Sequence, residues 1–276
     1  MNNFLQRTLS SVVFVAVMVA CLLLSRVAYG ALFLVIMAVA MQEFFSISLS
    51  GQYKVQQKLA LLAAAAFFIT VTFFLSGQLD GRWIATGIIP LVAIPVSVLF
   101  CRDRSGFGNI AYLYAGFAYI ATPVVVSSFL VSRDGGFDGF LLLSLFVIIW
   151  LCDVGAYCIG TAFGQKPDSK KLAPSISPKK SWWGFWGGVA FGILSAVALN
   201  FIGWLPFGLA HNAVLGALVS VSGVFGDLFE SLWKRYFGVK DSGNCIPGHG
   251  GMLDRFDSSF IAIPVAFVYL ILFGLI

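Results

Sequence analysis

Stretches of about 20 predominantly apolar residues recur along this chain with little between them, and no other feature limits its possible folds as strongly. Roughly 20 apolar residues cross the hydrocarbon core of a bilayer as a helix. On that measure the sequence predicts nine spans, over residues 8–25, 28–47, 59–76, 83–101, 109–131, 138–160, 184–205, 211–233 and 256–275. Pro90 and Pro95 weaken the fourth and Pro123 the fifth, because a membrane helix tolerates proline only where neighbours satisfy the freed carbonyl. Hydrophobic residues are 59% of the 276 and charged residues 11%, against roughly 45–50% and about 25% in a soluble domain. Water cannot solvate such a surface. The expected fold class is an all-α polytopic membrane protein of about nine transmembrane helices.

Lysine and arginine set the orientation, since cytoplasmic loops carry them in excess. With the N-terminus inside, fourteen of the seventeen lie on the inner side and only Arg26, Arg82 and Arg133 on the outer. The expected topology is an N-terminus in the cytoplasm and a C-terminus outside. Two polar loops, about 161–181 and 236–254, then face the cytoplasm. The net charge of +5 is concentrated in short loops along the chain, as a membrane surface demands, and gives no sign of nucleic acid. The first apolar run, Leu9–Ser25, is followed at once by another and reads as a span, not a cleavable signal. The chain divides into an N-terminal transmembrane region, 1–135, of about five spans, and a C-terminal transmembrane region, 136–276, of about four spans with both polar loops. Cys21, Cys101, Cys152, Cys158 and Cys245 form no CxxC pair and read as small apolar fillers.

The informative residues in lipid are the ionisable ones, because a charge near the bilayer centre costs at least about 2.5–3.5 kcal/mol. Glu43, Asp153, Asp227 and Glu230 all fall inside spans. Glu43, near the inner end of the second span, suits a snorkelling or helix-end role. Tyr157 follows Asp153 by one helical turn. Asp227, Glu230, Ser231 and Lys234, at i, i+3, i+4 and i+7, make one polar stripe on the eighth span. Asp254 and Asp257 repeat the i, i+3 spacing where the ninth begins. Two readings stay open. The acids can be interfacial caps and ion pairs, with Arg235 and Arg255 neutralising them and Asp254 capping a helix. Alternatively, carboxylates converging from several helices supply the oxygen ligands that Mg²⁺ needs beside substrate phosphates.

Beside the acids, Lys170–Ser181 alternates lysine, serine and proline, then enters the seventh span through Gly184, Gly187 and Gly188. Ser175, Ser177, Lys179, Lys180 and Ser181 are of the types that bind phosphate through charge, hydroxyls and a helix N-terminus. The same lysines can instead be plain positive-inside charge or an anionic-lipid patch. Downstream, the glycines of Pro247-Gly-His-Gly-Gly251 let backbone amides approach a ligand, and His249 can be a simple turn residue.

The segment Ser231–Asp257 resembles the signature of the phosphatidate cytidylyltransferases (CDP-diacylglycerol synthases), S-x-x-K-R-x4-K-D-x-G-x2-[IL]-P-G-H-G-G-[apolar]-x-D-R-x-D, at every fixed position. Ser177-Pro-Lys-Lys-Ser181 with Gly187-Gly188 is similar to that family's second block. One position departs: Trp182-Trp183-Gly184 puts Trp183 where the family commonly has an acid. The resemblance implies transfer of the cytidylyl group of CTP to phosphatidic acid, with CDP-diacylglycerol and pyrophosphate as products. It implies catalytic roles for Asp227, Asp254, Lys234, Arg235, Lys240, Asp241 and His249. Substrate contacts fall to Tyr157, Ser175, Ser177, Lys179, Lys180, Ser181, Ser231, Gly250, Gly251 and Arg255. The implied cofactor is Mg²⁺ on Asp227 and Asp254, with Asp153 and Asp257 as further ligands or supports; a monovalent cation as a second ion, and a homodimer, stay open. The expected partners are CTP, phosphatidic acid and membrane lipids. Two other classes share some of these features. A CTP-dependent polyprenol or phytol kinase would release CDP, and a transporter would need a polar path through the outer halves of the spans, which are apolar.

Overall fold

The computed structural model describes residues 3–101, 106–133, 135–166, 168–245 and 250–276. Among these, eight helices are long and apolar enough to cross a membrane, and a shorter apolar stretch covers Thr8–Leu24. The chain is an all-α polytopic membrane protein. By packing it forms two units, residues 1–138 with 241–255, and residues 139–240 with 256–276.

The first unit contains α1 (Asn3–Leu24), α2 (Arg26–Leu49), α3 (Lys54–Leu75), α4 (Ile88–Val98), α5 (Ala111–Gly116) and α6 (Thr122–Leu130), then a short hairpin of β1 (Ser132–Arg133) and β2 (Gly136–Phe137). Its third helix starts at Lys54, five residues before the expected boundary. An apolar ruler stops at the first polar residue, but lysine stems lie along a helix while their ammonium groups stay wet. The fourth span opens with a 3-10 turn, Gly81–Gly87, capped by the Asp80 carboxylate on Arg82 N at 2.9 Å. Pro90 lies in the first turn of α4, where no amide is needed; Pro95 lies inside it. In the fifth span the backbone widens to a π-turn over Phe117–Ala121, directly before Pro123. Proline cannot donate to the carbonyl four residues back, and a wider turn is a common local remedy. The buried Tyr29 hydroxyl on α2 meets Ser127 Oγ at 2.7 Å and Ser128 Oγ at 3.3 Å on α6, and Ser128 meets Thr72 Oγ1 on α3 at 3.0 Å. This apolar interior thus holds a polar knot whose members satisfy one another.

The second unit contains α7 (Phe140–Phe163), β3 (Lys171–Ala173), β4 (Ser177–Ser181), α8 (Trp182–Phe201), α9 (Leu209–Tyr236) and most of α10 (Leu253–Leu272). Small residues let its helices cross closely, as membrane packing favours. A Cβ on Gly184 would stand 3.0 Å from the Ala156 carbonyl and 3.3 Å from Gly160 Cα, so α8 runs almost backbone to backbone with α7. A Cβ on Gly226 would stand 2.5 Å from the Asp257 carbonyl, and this contact sets α9 against α10 beside two acids.

The Lys/Ser/Pro run, expected to be an open loop, folds as an antiparallel hairpin pairing Lys171 with Ser181 and Ala173 with Ser177. Its turn closes through Ile176 N on the Ala173 carbonyl at 3.2 Å. Lys171 Nζ donates to the Gly164 carbonyl at 2.8 Å, and Gln165 Nε2 to the Lys179 carbonyl at 3.0 Å. The hairpin is thereby tied to the end of α7. Ser181 ends it by capping α8, accepting from Gly184 N at 3.1 Å.

Candidate active site

A cavity of about 540 Å³ opens within the second unit, inside the range usual for small-molecule sites. α7 contributes Asp153, Tyr157 and Thr161 to its lining, the hairpin contributes Lys179 and Lys180, and α9 contributes Asp227; Gln165, Ser181 and Phe185 also line it. Lys180 Nζ lies 2.5 Å from Asp227 Oδ2, and Ser231 Oγ donates to Asp227 Oδ1 at 3.2 Å. Asp257, on α10, faces Asp227 and Glu230. The hairpin's expected phosphate ligands therefore separate into two sets. Lys179, Lys180 and Ser181 line the cavity, whereas Ser175 is exposed in the hairpin turn and Ser177 pairs in the ladder with Ala173.

Lower on α9 the polar stripe closes on itself. Lys234 Nζ donates to Glu230 Oε2 at 3.0 Å, with Glu230 fully buried and Lys234 only 12% exposed. A buried carboxylate needs such a partner, so this pair anchors the helix end. Arg235 Nη1 donates to the Val239 carbonyl at 3.3 Å and helps close α9; Lys240 is exposed. Asp227 and Glu230 take their ion pairs from lysines, not from the arginines that spacing alone offered.

The first unit holds the other polar segment. Asp254 Oδ2 accepts from Ser242 N, Ser242 Oγ and Gly251 N, each at 2.9 Å. Glu43, from α2, accepts from Met252 N at 3.0 Å and Leu253 N at 2.8 Å, the amides that open α10. The helix-end role expected of Glu43 is thus exercised on a helix 210 residues further along the chain. Asp241 and Arg255 are exposed, and Gly250 has φ +81°, which only glycine adopts freely. His249 lies outside the described residues.

Sequence reasoning missed Thr161 and Gln165, whose polar side chains carry no signal until the hairpin folds over them. Among the described residues no three His, Cys, Asp or Glu side chains stand close enough to hold a metal unaided. Mg²⁺ seldom asks for that, binding through one or two carboxylates while phosphates and waters complete its shell. Asp153 and Asp227, lining one cavity with two lysines, fit that requirement.

A polytopic membrane protein with lysines and carboxylates lining one cavity has the makings of a membrane-embedded phosphate-chemistry enzyme. The chain belongs to the cytidylyltransferase family, whose model matches residues 5–273; it is a nucleotidyltransferase. Among its relatives, a phosphatidate cytidylyltransferase from Bacillus subtilis is 37% identical over 63% of this chain and 61% of its own length. One from Staphylococcus epidermidis is 35% identical over 69% of this chain and 72% of its own, and one from Pseudomonas aeruginosa 33% identical over 74% of each.

Proposed function

We propose that this chain transfers the cytidylyl group of CTP to phosphatidic acid, on the cytoplasmic side of a bacterial inner membrane, with its N-terminus inside. The observation that carries the reading is the cavity where Lys179 and Lys180 stand with Asp153 and Asp227, in a chain of this family. An oxygen of the phosphatidate phosphate attacks the α-phosphorus of CTP. The new P–O bond forms as the α–β phosphoanhydride breaks, and pyrophosphate leaves. The nucleophile is already ionised near pH 7, so no side chain has to remove a proton. Two polyanions must be brought together, and the chain's task is neutralisation and alignment.

Lys179 and Lys180 hold phosphate oxygens of the nucleotide, with Tyr157 and Phe185 as the walls that orient it. Ser231 steadies the Asp227 carboxylate. Asp227 and Asp153 would hold Mg²⁺, with Asp257 supporting Asp227; Asp254 keeps the ligand role that the signature implies. Bound there, the cation would neutralise phosphate charge and polarise the reacting phosphorus.

The test is turnover of CTP and phosphatidate by purified protein, with and without Mg²⁺. Asp227→Asn and Asp254→Asn should each lower formation of CDP-diacylglycerol by at least ~100-fold, while Lys54→Ala should be near neutral. Near-normal turnover in either Asp variant would remove that residue from the machinery. Labelled CTP giving CDP in place of a CDP-lipid would replace the reaction itself.

A further inference from the structure

We infer that Glu43 is a positioning residue for the reaction, holding the signature segment in shape from α2. The inference rests on the reading of that segment as part of the catalytic apparatus, and uses only its described parts, residues 241–245 and 250–255. The first amides of a helix have no partner within it, and those of α10 are met from far away in the chain. Glu43 Oε1 takes Met252 N and Oε2 takes Leu253 N. Ser242 Oγ stands 3.2 Å from Glu43 Oε2 and 2.9 Å from Asp254 Oδ2, so one hydroxyl links the two carboxylates. Glu43 therefore fixes the backbone on which Asp254 is mounted, and touches Asp254's own partner.

Glu43 also explains two glycines of the signature. A Cβ on Gly251 would stand 2.5 Å from Glu43 Oε2 and collide with Ser242 Oγ, and a Cβ on Gly243 would stand 2.5 Å from Glu43 Oε1. Spacing alone suggested that the Gly250–Gly251 pair admits a ligand to the backbone. At Gly251 the group admitted is the Glu43 carboxylate.

The experiment uses the full-length purified protein and two readouts. Hydrogen exchange, measured without metal or nucleotide, should show the Ser242, Gly251, Met252 and Leu253 amides exchanging at least ~10-fold faster in Glu43→Ala, with α7 and α8 unchanged. Turnover should fall at least ~10-fold in kcat. Glu43→Gln, which keeps the reach and one acceptor oxygen, should lie between Ala and wild type in both readouts. It carries the test if the Ala variant does not fold. Tyr29→Phe, which breaks the Ser127 and Ser128 bonds in the same unit, should lower the melting temperature with kcat within ~2-fold of wild type. Unchanged exchange at the four amides overturns the inference. So does faster exchange with unaltered kcat, or an equal loss of kcat in Tyr29→Phe. Wild-type protein that makes no CDP-diacylglycerol would defeat the proposed reaction instead, leaving the exchange result to stand or fall alone.

Discussion

Replacing Lys180 by methionine removes one charge from the cavity and keeps most of the side chain's volume. Lys180 and Asp227 are 26% and 34% exposed, between the exposed pairs worth about 0.2–1 kcal/mol and the buried pairs whose rupture costs about 3–5 kcal/mol. A stability loss of about 1–3 kcal/mol follows. From a starting stability of at least about 5 kcal/mol, even the larger loss leaves roughly 97% of molecules folded. Unfolding can therefore remove only a few per cent of the rate. An ammonium aimed at a reacting phosphate acts on another scale, about 2.7–4 kcal/mol, or ~100–1000-fold. The assay is the initial rate of CDP-diacylglycerol formation in mixed micelles, taken beside the melting temperature. Lys180→Met should lose ~100-fold or more in kcat/KM with a melting shift of several degrees. Lys180→Arg, which keeps the charge but presents a planar fork, should fall between. A Lys180→Met rate within ~3-fold of wild type, or one restored by cooling, would refute the phosphate-binding role.

Two further outcomes test the departure from the family signature and the orientation. Trp183 packs on Phe163 at 5.8 Å between ring centroids and borders a recess with Trp182, Trp186 and Lys170, outside the lining of the main cavity. Trp183→Glu should therefore change turnover by less than ~3-fold, and a gain or loss beyond ~10-fold would show that this position reaches the substrate. With Cys245, which is exposed, kept as the lone cysteine, a membrane-impermeant maleimide should label inverted vesicles and leave right-side-out vesicles unlabelled. The opposite pattern would reverse the proposed topology.

The spans were legible because lipid imposes one length on every helix that crosses it, and the ruler found all of them to within a few residues. It fell short where polar residues extend helices beyond the apolar run, as at Lys54 and in the last turns of α9, and it overran α8, which ends at Phe201 while the apolar run continues to Leu205. The lower stripe was legible as well, since Glu230 and Lys234 meet through i, i+4 geometry alone. The Lys170–Ser181 hairpin was not, because proline and lysine look alike in a loop and in a short strand strapped to a helix end. Its composition could offer Lys180 as a candidate phosphate ligand but could not show Asp227 as its partner, 47 residues away.

Glu43 marks the limit most clearly. Its cost in lipid shows from sequence that it must either reach the interface or be met by polar groups at a helix end. The identity of those groups is not local information. The donors are two backbone amides and a serine hydroxyl 199–210 residues on, and backbone amides are the same in every sequence. What the sequence does record is the room left for the carboxylate, as glycine at 243 and 251. Glycines in a signature segment are readily taken as space for substrate. Here two of them are space for a distant side chain, and they and Glu43 become one unit on which the setting of Asp254 depends.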